Sequence, residues 1–307
     1  MPQAPAWKIA AAFAAVYILW GSTYLAIRYA VVSVPPLAMA SMRFLLAGSI
    51  LLLFSKLKGD VRATKLEWRN SAIVGTLMLL GGNGIVCWSE QRVSSGIAAL
   101  MVASVSLWLV VLNWLIGKNR PTVSQTAGLF AGLSGVALLV SDSLASKAGQ
   151  GAFVGTLMLV LGSLFWAAGT LFSRYNPMPS SGVQSSGMQM VTGGISLATF
   201  SLLTGEGPRL MQAQPNAAAL FSFGYLVIFG SVVAFSAYNW LNGVTTPARL
   251  GTYAFVNPAV AVLMGSLVAH EAVTVRELIA MIVILGAVML LSVKKAPAPA
   301  KLAQATS

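Results

Sequence analysis

The sequence predicts an all-α membrane protein of ten transmembrane helices, arranged as two inverted five-helix repeats. Three observations lead there. The 307 residues are 57% hydrophobic and 8% charged, against roughly 25% charged in an ordinary soluble domain. Ten apolar windows come close to the ~20 residues that a ~30 Å hydrocarbon core requires. Finally, the stretch ILWGSTYLAIRYA (18–30) returns as LFWAAGTLFSRYN (164–176), aligning Trp20 with Trp166, Leu25 with Leu171, Arg28 with Arg174 and Tyr29 with Tyr175 at a constant offset of 146.

Taken in order, the windows are 9–31, 36–55, 70–89, 94–115, 122–141, 151–173, 182–204, 217–241, 248–269 and 275–293. Lys8 precedes the first, as in a signal peptide, but 19 uncharged residues follow and further windows come after it, so it reads as a spanning helix. The eighth is poorly bounded, because 211–248 contains no charge. Later segments repeat with small drift: Ala47-Gly48 matches Gly193-Gly194 at 146, Trp88 matches Trp240 at 152, and GVALLVS (135–141) resembles GAVMLLS (286–292) at 151. The division expected is a first repeat over 1–145, a second over 146–295 and a disordered cytoplasmic tail over 296–307.

The basic residues orient the chain. With a cytoplasmic N-terminus, Lys8, Lys56, Lys58, Arg62, Lys65, Arg69, Lys118, Arg120, Arg174, Arg249, Lys294, Lys295 and Lys301 fall inside, whereas only Arg92, Lys147, Arg209 and Arg276 fall outside. Both termini are therefore placed in the cytoplasm. Five spans per unit make the second unit start from the opposite side, which inverts it. Inverted repeats recur in transporters, with the substrate site near the bilayer midplane, and they also occur in some channels.

The net charge of +12 would suit nucleic acid, but the few basic residues sit in short connections, so no nucleic-acid partner is expected. Cys87 is the sole cysteine and His270 the sole histidine, which cannot supply the usual metal-ligand clusters, and no Walker A motif is present. No cofactor is expected. An intramembrane enzyme is also weighed, because GLSG (132–135) looks like a serine-protease motif. Ser134 lies deep in a packing stretch and His270 is expected outside the core, so this reading is set aside. GLFAG (128–132) is a small-residue motif for close packing within or between protomers, which leaves a homodimer open.

Trp20 and Trp166 fall near mid-bilayer, away from the interface belt where Trp7 and Trp68 are expected. They either pack helices together or line a cavity; the small neighbours Gly21, Ser22 and Thr23, and Ala167, Ala168 and Gly169, favour the cavity. Asn83 stands between Gly82 and Gly84 in a stretch weak as a helix, which suggests a cavity-lining bend. Asn239 beside Tyr238, and Asn257 before Pro258, repeat the theme. Pro258 should kink the ninth helix, whereas the first-repeat counterpart has Ser106, so only the second copy should carry the stronger kink. Arg43 lies seven residues into the second window, roughly 10 Å deep at 1.5 Å per residue, and should find a partner in the bundle interior. Arg28 and Glu90 are expected near the same outer end. The three could form an ionic outer gate, Glu90 could exchange a proton, or Arg28 and Glu90 could snorkel to the interface.

WGSTYLAIR (20–28), Pro35-Pro36 followed by Arg43, GNG (82–84), Glu90, SSGIAAL (94–100) and TYAFVNPAVAVLMG (252–265) together resemble the drug/metabolite transporter superfamily, specifically its EamA-domain exporters of the YedA-like kind. The resemblance runs from Trp20 to about Val293. It implies ten helices in two inverted repeats in a bacterial inner membrane, and a cavity lined by the first, third, fourth, sixth, eighth and ninth helices. Mapped on these, the substrate-binding candidates are Trp20, Tyr24, Asn83, Trp166, Tyr238, Asn239, Tyr253 and Asn257. The implied activity is export of an amino acid, metabolite or drug-like compound by alternating access. A facilitator without ion coupling and a non-transporting sensor or assembly subunit stand as alternatives. Two positions depart from the family pattern: Ser106 replaces a proline, and the acidic residue after the fourth helix appears only in the second copy, as Glu271, with Asn119 at the first-copy position. The Glu271 departure is expected to bear on helix-end packing more than on transport.

Overall fold

The computed structural model describes residues 5–116, 121–145, 149–245, 250–271 and 273–292. Lys118, Asn119, Arg120, Lys147, Arg249, Lys294, Lys295, Lys301 and the tail 296–307 lie outside these. The described residues form helices and their connections, without a strand.

Helix α1 (Ala6–Val31) ends short of Pro35, and α2 (Pro36–Leu57) starts on Pro36, where a fixed φ and a missing N–H suit a first helical turn. A capping box starts α3 (Lys65–Ser89): Thr64 accepts from the Glu67 backbone N–H, and the Glu67 side chain accepts from the Thr64 backbone N–H. Ser94 caps α4 (Ser95–Leu115). There follow α5 (Val123–Ala145), α6 (Gly149–Tyr175), α7 (Gly182–Leu203) and the short α8 (Glu206–Met211). The poorly bounded eighth window becomes α9 (Ala217–Val244), started by Asn216, whose side chain accepts from the Ala219 N–H at 2.9 Å. Last come α10 (Tyr253–Ala269) and α11 (Val275–Ser292).

Six of these helices, α1, α2, α3, α4, α6 and α9, are long and apolar enough to cross a membrane. Leu53, Phe54, Leu57, Leu202, Leu203, Phe221 and Leu267 are exposed, as expected of side chains that face lipid rather than water.

Two local features differ from expectation. The glycine-rich GNG region, expected as a bend, stays helical in a wider form: residues Thr76–Gly84 of α3 form a π-helical segment, and Leu226–Val233 of α9 form a second one. The stronger kink is expected at Pro258 in the second copy, but α10 runs as one helix through Pro258 and it is the first-copy α4 that breaks, between Val102 and Val105, where the Ser104 and Leu107 N–H groups bond three residues back to Met101 and Ser104. Tight three-residue hydrogen bonds replace the proline as the cause of that break.

The core is built on close helix crossings. Helix α2 packs along α7, α5 along α11, α1 against α9 and α10, and α6 against α3 and α4. A Cβ on Gly75 would sit 2.3 Å from the Gln189 carbonyl oxygen, so only glycine allows α3 and α7 to approach this closely. Gly132 of the GLFAG motif packs on Leu107 and Ala287 of the same chain, and the Ser134 hydroxyl donates to the Ala131 carbonyl of its own helix at 2.7 Å.

Candidate functional site: an aromatic cavity with one buried arginine

The two tryptophans that begin the repeated stretches meet. Trp20 and Trp166 contact edge to face, with ring centroids 5.5 Å apart, and Tyr238 and Tyr253 complete the cluster at 4.9 and 5.6 Å from Trp20. These are favourable aromatic geometries, and the polar tips are tied down. Trp20 Nε1 donates to the Gly230 carbonyl at 3.0 Å, Trp166 Nε1 donates to the Tyr238 hydroxyl at 3.3 Å, and Thr170 shares a 2.8 Å hydrogen bond with that hydroxyl. The acceptor for Trp20 lies within the π-helical segment of α9.

Beside this cluster is a cavity of about 60 Å³, lined by Trp20, Tyr24, Asn83, Trp166, Tyr253 and Asn257 among others. It holds at most a few water molecules, at about 30 Å³ each. Six of the eight substrate-binding candidates therefore share one cavity, and Tyr238 stacks directly behind it. In the amide orientation that satisfies its neighbours, Asn257 Nδ2 donates to the carbonyls of Tyr253 (3.2 Å) and Tyr17 (3.1 Å). Asn239 corrects the expectation. One residue beyond Tyr238 is a 100° turn of the helix, and its amide donates to Ser186 (2.9 Å) and Gln189 (3.2 Å), joining α9 to α7. Phe235, which the sequence reading missed, stands 6.2 Å from Trp166 on the Tyr238 face of α9; its spacing of three before Tyr238 was the available signal.

Arg28, Arg43, Glu90 and Glu271 lie within electrostatic reach of one another through Glu90, but only one ion pair forms among the described residues. Arg43 is 2% exposed and lines the aromatic cavity. Its Nε donates to Ser231 Oγ at 2.7 Å, its guanidinium lies 4.7 Å from the Phe44 ring centre, and its Nη1 has no hydrogen-bond partner. Arg28 pairs with Glu271 instead of Glu90, at 2.8 Å, and Ser95 Oγ donates to the other Glu271 oxygen at 2.9 Å. The preceding His270 adopts a left-handed conformation, φ 53°, that ends α10 and turns Glu271 back towards α4. Glu90 is buried, with the Arg28 backbone beside its carboxylate and Glu271, Arg28 and Arg43 within electrostatic reach. The sequence also gave no sign of Glu206, whose buried carboxylate accepts from the Leu37 and Ala38 N–H groups and the Ser201 hydroxyl, anchoring the start of α2. Arg174 lies at the opposite end of the bundle, where it donates to the carbonyls of Asn242 and Thr245 at the end of α9.

A bundle of apolar helices enclosing an aromatic cavity defines the class: a polytopic membrane protein with an internal cavity. Comparison with known proteins places it further. The model of the EamA-like transporter family matches residues 6–141 and again 153–293. The chain is 38% identical to the inner membrane transporter YedA of Escherichia coli K12 over 289 residues, covering 94% of this chain and 91% of that one. It is 22% identical to the transporter YoaV of Bacillus subtilis over 92% of its length and 94% of YoaV, and 24% identical to PecM of Dickeya dadantii over 89% and 88%. One solved crystal structure shares the fold, with a TM-score of 0.68 over 94% of this chain and 98% of its own at 17% identity. The chain belongs to the EamA-like transporter family, within the drug/metabolite transporter superfamily, and is a membrane transporter.

Proposed function

We propose that the protein is an inner-membrane permease that exports a small metabolite, an amino acid or drug-like compound, by alternating access around the aromatic cavity. The observation that carries this reading is the meeting of Trp20 and Trp166: residues equivalent in the two repeats face each other across one buried site. Ten crossings in two inverted units, 1–145 and 146–295, account for further features. Pairings of helices recur in matched form, α1 with α10 as α6 with α4, and α3 with α7 as α9 with α2. The π-helical segments fall at corresponding places in α3 and α9. Lys56, Lys58, Arg62, Lys65, Arg69 and Arg174 gather at one end of the bundle, which suits a cytoplasmic face and cytoplasmic termini. A cavity of about 60 Å³ is far below the ~300 Å³ of a formed ligand pocket, which fits an occluded stage of the cycle between two open ones.

The test is flux of labelled amino acids and amphipathic compounds through proteoliposomes, with and without a pH gradient. Flux that follows the gradient is expected if Glu90 exchanges a proton, and flux indifferent to it means uncoupled facilitation. Absence of flux across a broad panel would sink transport and leave a sensor or assembly subunit. Trp20→Ala and Asn83→Ala should each lower apparent affinity in correctly inserted protein; unchanged affinity and rate in both would misplace the site.

A further inference from the structure

Arg43 lines the central cavity from α2 with its guanidinium almost wholly removed from solvent. Of its three nitrogens, Nε is committed to Ser231. Nη1 is buried without a hydrogen-bond partner, and the only ion pair among the described residues is Arg28 with Glu271. No aspartate or glutamate lines the cavity. Glu90 lies close enough to feel Arg43 electrostatically, but it is engaged more strongly with Glu271 and Arg28, so it offsets the charge from a distance without occupying Nη1. A buried cation with an idle donor is costly to maintain, and a guanidinium is shaped to receive a carboxylate. Around it stand aromatic faces, Trp20, Tyr24, Trp166 and Tyr253, suited to a planar or apolar body.

We propose that Arg43 is the anchor for the substrate's carboxylate, so that the substrates are amphipathic organic acids whose apolar body enters between the two tryptophans. This rests on the transport reading above and narrows its substrate class. The present cavity is too small for such a molecule, so the rings must part as it enters, while the Ser231 and Phe44 contacts keep the guanidinium in place.

The test uses the full-length protein and three labelled probes of similar size: phenylpyruvate, L-phenylalanine and phenethylamine. Binding is read by thermal stabilisation in detergent, and transport by counterflow in proteoliposomes. The carboxylates, one or both, should bind and move, and phenethylamine should do neither. Preference between phenylpyruvate and L-phenylalanine then tells whether a simple anion or a zwitterion is favoured. Arg43→Gln should weaken carboxylate binding about tenfold or more, the loss of one charge-assisted hydrogen bond, with Arg43→Lys falling between. Phenethylamine handled as well as the acids, no binding by either acid, or unchanged carboxylate affinity in Arg43→Gln would overturn the assignment. The wild-type comparison decides the matter even if Arg43→Gln fails to fold. Carboxylates that bind without crossing would instead overturn the transport reading and leave the assignment standing, whereas flux of the amine alone would do the reverse.

Discussion

Replacing Arg28 with glutamine removes one half of the 2.8 Å ion pair to Glu271, which fastens α1 to the end of α10. The size of the effect follows from how the two groups are exposed. The Arg28 side chain is 39% exposed and that of Glu271 10%, so the pair is worth less than a buried one but more than a typical surface one; discounted for solvent, about 1 kcal/mol is reasonable. That corresponds to roughly fivefold in any equilibrium that opens this end of the bundle, since about 1.4 kcal/mol is tenfold. Cys87, the sole cysteine, is fully buried near Asn83 and serves as a built-in reporter of that opening. Maleimide labelling of Cys87 in proteoliposomes should accelerate about fivefold in Arg28→Gln and similarly in Glu271→Gln. The double variant should show little more than either alone, because both remove the same contact. Labelling unchanged by either substitution, or effects that simply multiply in the double variant, would refute the idea that this pair holds the end closed.

Further outcomes follow from single contacts. Gly75→Ala should lower the melting temperature in detergent, because its Cβ would meet the Gln189 carbonyl at 2.3 Å and force α3 from α7 at a cost of about 1–3 kcal/mol. Gly224→Ala, with nothing within 4 Å, should not. Asn239→Ala should reduce thermal stability through the lost Ser186 and Gln189 bonds but leave substrate affinity intact, whereas Trp20→Ala should lower affinity. Asp60, in the turn after α2, is held below the usual carboxylate range by hydrogen bonds from Ser181 and Ser55. A lowered folded pKa stabilises above the ordinary carboxylate value and is lost as pH falls through the lowered one. Melting curves taken on acidification should therefore show a loss in wild type that Asp60→Asn lacks.

The helices were legible because each needs only a long apolar run between caps, and Trp20 with Trp166 because an internal repeat marks equivalent places. What stayed hidden depends on contacts between distant segments. Glu271 looked like a helix-end residue until the left-handed His270 turned it onto Arg28. Asn239 and Tyr238 are neighbours in the chain but look out on different sides of α9, and polarity alone could not say which side faced the cavity. Arg43 was legible as a buried charge needing a partner; that it lines the aromatic cavity with one donor unpartnered required the fold. The break in α4 has no proline to announce it, and LVIFGSVV, the second π-helical segment, reads as an ordinary apolar helix.

Those π-helical segments have a consequence for how the chain tolerates change. A π turn holds a residue more than the α turn it interrupts, so the part of α3 beyond Thr76–Gly84 is phased differently from a continuous α-helix. Closing the segment into regular α geometry with its residues all kept would rotate Cys87 and Glu90 by about 100° relative to the residues before it, whereas deleting one residue there would let the helix close with their phase preserved. In α9 the same closure without a deletion would swing Phe235 and Tyr238 off the two tryptophans. The wide turns at these two places are thus as much a part of the cavity's geometry as the side chains they aim, and each should tolerate loss of one residue better than the regular helix on either side of it.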